Sequence, residues 1–90
     1  MLFAMIWRDG PEGKEKRRLY REGHIERLEK LEREGRLVLA GPFADGSGSL
    51  IVFEADSAED ATAFAAGDPY VREGVFESHE VRPFKQVFPK

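Results

Sequence analysis

Leu2-Phe3-Ala4-Met5-Ile6-Trp7-Arg8 is apolar at every position but its last, and it runs into the turn cluster Asp9-Gly10-Pro11. The run predicts a strand over residues 2–8 followed by a loop. It does not alternate apolar with polar. One face carries Leu2, Ala4 and Ile6 and the other Phe3, Met5 and Trp7, so both sides of the sheet it enters must be shielded from water. Two later runs repeat the pattern. Residues 36–41 set Leu37 and Leu39 against Val38 and Ala40, and residues 49–55 set Leu50 and Val52 against Ile51 and Phe53.

Between the first two strands the period changes. Over residues 14–34, Tyr20, His24, Leu28 and Leu31 recur at steps of four, four and three, one stripe of a helix that Gly35 stops. Gly23 inside the run costs about 1 kcal/mol against Ala, which marks either a weakened turn or a close neighbour. Residues 42–48, rich in Gly and Ser, join the second and third strands as a hairpin. Ser57 is a good N-cap for a short Ala-rich helix with Glu59 and Asp60 in its first turn, and Gly67-Asp68-Pro69 ends it. A short turn over 69–74, a final strand over 75–82 and a tail over 83–90 complete the chain. The order β-α-β-β-α-β predicts an α+β split β-α-β domain spanning residues 1–90, a four-stranded antiparallel sheet with two helices on one face. Two helices cannot cover both apolar faces, so a second copy is expected on the open face, forming a homodimer.

Composition narrows function by exclusion. The 90 residues contain no cysteine, which removes disulfides, thiolate zinc sites and cysteine nucleophiles. No apolar run approaches the ~20 residues of a membrane span, and the apolar start lacks a basic leader, so no membrane partner and a cytoplasmic location are expected. The formal charge is −3, and residues 14–36 alternate nine basic with six acidic residues; pairs such as Glu26/Lys30, Glu29/Arg33 and Glu32/Arg36 read as a solvated helix face. The third strand has one aromatic and no basic residue, so no nucleic acid is expected as a partner. His24 and His79 with scattered carboxylates show no metal-ligand spacing, and no metal or cofactor is predicted.

His24 is the informative polar residue, because its stripe should face the sheet, where a histidine needs a partner. It reads either as a core histidine bonded to backbone or as a general base. Asp68, fixed between Gly67 and Pro69, reads either as a turn former or as the carboxylate that orients the imidazole. Ser49, with Gly46 and Gly48, belongs to a flexible connection or supplies a hydroxyl to a ligand. Trp7, Tyr20 and Phe53 read as core or interface aromatics.

Arg18 and His24, Gly35-Arg36-Leu37, Gly41-Pro42, Gly48-Ser49-Leu50, residues 57–61, Asp68-Pro69-Tyr70 and Val81-Arg82-Pro83-Phe84 follow one another in an order that resembles the YCII-related (YciI-like) family over nearly the whole chain. The resemblance implies a ferredoxin-like, dimeric α+β barrel and a catalytic pair of His24 and Asp68. It implies a pocket lined by Ser49 and Tyr70, with Arg18 or Arg21 meeting an anionic substrate group. A relative in the family removes chloride from a chlorinated hydroxyquinol, which implies a cofactor-independent, lyase-type acid-base enzyme acting on a small-molecule substrate. The family often has Trp where Phe84 stands, a difference expected to reshape a pocket wall. A non-catalytic dimeric module that binds a small ligand or partner remains the alternative, and a monooxygenase or isomerase of the same architecture rests on fold analogy alone.

Overall fold

The computed structural model describes residues 1–89, and Lys90, the last residue of the expected tail, lies outside the described residues. Strand β1 (Leu2–Asp9) leads into helix α1 (Gly13–Arg33), the hairpin strands β2 (Leu37–Pro42) and β3 (Gly48–Glu54), helix α2 (Ala58–Ala66), the single turn α3 (Pro69–Arg72) and strand β4 (Phe76–Phe84). The strands form one antiparallel sheet in the order β2-β3-β1-β4. The α+β architecture is the one expected, with the turn over 69–74 formed as a helical turn.

Helix α1 ends as its sequence dictates. Gly35 takes φ +72°, and the amides of Gly35 and Arg36 bond back to the carbonyls of Glu32 and Leu31 at 3.0 and 2.9 Å. Ser57 caps α2, its Oγ accepting from the Asp60 amide at 3.1 Å. Gly23 proves to be a packing glycine: a Cβ there would come within 3.1 Å of Pro69 Cγ, so α1 and α3 touch at that point.

Register sorts the two sheet faces. Phe3, Met5 and Trp7 pair with Phe53, Ile51 and Ser49, and this face packs under the helices with Leu31, Ala61, Ala65 and Tyr70 to form the core. Burying a large apolar side chain there contributes about 1.5 to 3 kcal/mol. Leu2, Ala4, Ile6 and Leu50 lie on the opposite face, only partly buried, with Leu39 and Phe84 exposed beside them.

Several boundaries differ from expectation for one reason. Pro42 closes β2 and Pro83 lies inside β4, where a strand was expected to end at residue 82. Both are edge strands, where a missing N–H breaks no ladder bond. The pairs expected along α1 are not among the ion pairs of the described residues. Beyond Gly35 the chain has left the helix, so Arg36 instead bonds the Glu54 carbonyl at 3.0 Å and Glu34 at 3.0 Å.

Candidate functional site

Seven residues of α-helix amount to 700°, about 20° short of two full turns. Arg17, Arg21, His24 and Leu28 therefore share one side of α1, and this side forms a wall of a cleft of about 180 Å³. Ala40, Gly41 and Pro42 of β2 form the opposite wall, and Ser49, Ile51 and Tyr70 close the base.

Asp68, the N-cap of α3, lies buried behind the cleft wall. Its Oδ1 accepts from the Tyr70 amide at 2.8 Å, which satisfies the cap of that turn and fixes the carboxylate. His24 Nδ1 lies 3.0 Å from both carboxylate oxygens. Arg27 Nε stands 3.6 Å away, while its guanidinium lies over the Phe64 ring and donates to the Phe64 carbonyl. Asp68 has no solvent exposure at all, and the Tyr70 amide and the Arg27 guanidinium that face it can only donate. It therefore accepts as a carboxylate, and the imidazole carries its proton on Nδ1.

That assignment decides what the ring offers to the cleft. Nε2 is left with its lone pair, and it has no hydrogen-bond partner among the described residues. The Tyr70 ring stacks on the imidazole at 4.0 Å and 11°, and Trp7 closes from another side at 5.9 Å. Tyr70 Oη donates to the Arg17 carbonyl at 3.1 Å. Burial of the phenol pushes its pKa up.

Arg17 braces the other end. It donates from Nε and Nη2 to the two oxygens of Asp9 at 2.9 and 2.8 Å and from Nη2 to Ser49 Oγ at 3.0 Å. The hydrogen bonds to Asp9 raise its pKa and hold it charged. Ser49, 3 % exposed, accepts from Arg17 and so keeps its own hydroxyl hydrogen for a cleft occupant.

The structure thus brings His24, Asp68, Ser49 and Tyr70 together. Arg18 does not join them: it is exposed on a neighbouring face of α1, about 120° from His24, and pairs with Glu15 at 3.0 Å. The cleft arginines are Arg17 and Arg21. Arg17 and Arg27 escaped the sequence reading, although the seven-residue step from Arg17 to His24 was a usable signal. Phe84 stands at the far end of β4 opposite Leu2, away from the cleft, so it shapes no wall of it. His79 is exposed on β4. Among the described residues no group of His, Asp and Glu has the arrangement of a metal site, and no helix is long and apolar enough to cross a membrane.

Comparison with known proteins places the family and the fold. The YCII-related domain family matches residues 1–85. Protein YciI of Escherichia coli O6:H1 is 41% identical over 98% of this chain and 100% of its own length. An uncharacterized protein of Haemophilus influenzae is 37% identical over the same shares. Among solved structures, 5-chloro-2-hydroxyhydroquinone dehydrochlorinase of Burkholderia phenoliruptrix, in complex with 2,5-dihydroxybenzoquinone, superposes with a TM-score of 0.84 at 26% identity, covering 96% of this chain and 95% of that one. A NIPSNAP family protein of Agrobacterium tumefaciens, at 20% identity and a TM-score of 0.55, shares the fold.

Proposed function

The chain belongs to the YCII-related domain family, and from that premise we propose that it is a small-molecule enzyme in which Nε2 of His24 takes a proton from a ring hydroxyl of its substrate. The single observation that carries this reading is His24 Nδ1 standing 3.0 Å from both oxygens of the buried Asp68, which leaves Nε2 free for an occupant of the cleft that His24 lines. Asp68 is a positioning residue: it fixes tautomer and ring orientation and stabilises the imidazolium formed when the proton arrives. Tyr70 holds the imidazole plane by stacking. Ser49 donates to a substrate oxygen as charge develops on it.

Size agrees with chemistry. An apolar cavity of about 150 Å³ accepts a benzene ring, and this cleft, at about 180 Å³, has room for a ring with its polar substituents. The dehydrochlorinase with the same fold holds a dihydroxybenzoquinone. Deprotonating a hydroxylated ring pushes electron density into it, so the ring carbon that bears a halide takes up a proton as the ring ketonises; the halide then leaves as a second hydroxyl proton is lost, giving a quinone and HX with no external oxidant. The working unit in this proposal is a dimer closed over the open sheet face.

Halide release and ultraviolet spectra over a panel of halogenated and unsubstituted hydroquinones test the proposal. His24→Ala and Asp68→Asn are each expected to lower turnover by about 10² to 10⁴, with the fold retained because Asn keeps the α3 cap. Full activity of either variant on a substrate the native protein turns over would remove the pair from the mechanism.

A further inference from the structure

Among the described residues, each charge around the cleft has a partner except one. Arg17 is bound by Asp9 through two hydrogen bonds. Asp68 is met by His24, the Tyr70 amide and Arg27. Arg21 lines the cleft one helical turn beyond Arg17 and one before His24, and it forms no ion pair among the described residues. Glu22, Glu26 and Glu29 border a separate outer groove with it and do not pair with it. An unpartnered guanidinium on a chain of net charge −3, at the rim of a cleft with Ile25, Leu28 and Ile51 in its walls, is a site for an anion carried on an apolar body.

We propose that the substrate is a monocyclic aromatic acid, its carboxylate held by the planar fork of Arg21 and its ring hydroxyl directed to His24 and Ser49. A guanidinium matches a carboxylate in geometry as well as charge. The one-turn offset between Arg21 and His24, about 5 Å along the helix, suits groups on opposite sides of a six-membered ring. This inference rests on the cleft being the small-molecule site proposed above, but not on His24 acting as a base.

Isothermal titration calorimetry with 2,5-dihydroxybenzoate, neutral hydroquinone and acetate, on native protein, Arg21→Met and Arg21→Lys, separates the possibilities. The native protein is expected to bind the aromatic acid about tenfold more tightly than hydroquinone, the size of one charge-assisted hydrogen bond in a partly desolvated cleft. Arg21→Met erases that preference while leaving hydroquinone affinity unchanged, and Arg21→Lys keeps part of it. Acetate alone binds more weakly than the aromatic acid. Equal binding of acid and hydroquinone by the native protein, a preference surviving in Arg21→Met, acetate binding as well as the aromatic acid, or no binding of the acid at millimolar concentration would each overturn the proposal. His24→Ala that loses turnover yet keeps the preference leaves this inference standing. Loss of turnover in His24→Ala beside a native protein indifferent to the carboxylate removes this inference and spares the catalytic one.

Discussion

A phenol only 2 % exposed, stacked on one side chain and hydrogen-bonded to the backbone beneath another, ties three parts of the cleft together in Tyr70. Because burial raises its pKa, the folded chain holds this proton more tightly than the unfolded chain does. The associated stability is intact below the ordinary tyrosine value of about 10 and is lost as pH climbs toward the higher folded value. Alkaline titration followed by phenolate absorbance is therefore expected to show one of the two tyrosines ionising late, together with unfolding. Tyr70→Phe removes the late component and, through the lost bond to the Arg17 carbonyl, costs about 1 kcal/mol at neutral pH. At this scale the sequence was partly legible. His24 announced itself as a polar group on an apolar stripe, and Asp68 as a carboxylate fixed by its neighbours. Arg18 was misplaced because a single residue step turns a side chain by about 100°; the seven-residue step to His24 singles out Arg17, and Asp9 at the end of β1 holds it there.

Elements are set against one another by a few close backbone approaches. At Gly48, where β3 leaves the hairpin, an added Cβ would sit 1.8 Å from the Trp7 carbonyl oxygen. Backbone atoms of two paired strands cannot yield as a flexible side chain does. Gly48→Ala is expected to destabilise the domain by about 3 kcal/mol, read as a lowered urea midpoint, and to displace Ser49 from the cleft. The reading of residues 42–48 as a connection located this hairpin but did not show why Gly48 is glycine, since the reason is Trp7 on β1, far away in sequence. Helix limits were more legible than strand limits. Caps and breakers act locally, whereas the tolerance of β2 and β4 for proline depends on their edge positions in a sheet order that no single segment encodes.

For the whole molecule, the apolar pattern of β1 that opened the sequence reading has its counterpart in the sheet face away from the helices, where Leu39 is 48% and Phe84 44% exposed. A second copy seated there would remove that surface from water, and each apolar residue so buried would contribute in proportion to its area. Light scattering at micromolar concentration is expected to give twice the chain mass, and Leu50→Lys, placing a charge in the middle of that face, to give a monomer of unchanged helicity. A native monomer would refute the dimer while leaving the cleft geometry untouched, because His24, Asp68, Ser49 and Tyr70 all come from one chain.

Trp7, the only indole in the chain, lies 5.9 Å from the His24 ring. Imidazolium quenches tryptophan emission at such range and neutral imidazole does so far less. The molecule thereby carries its own optical gauge of the protonation state of its central histidine, readable without a label and before any reactant is known.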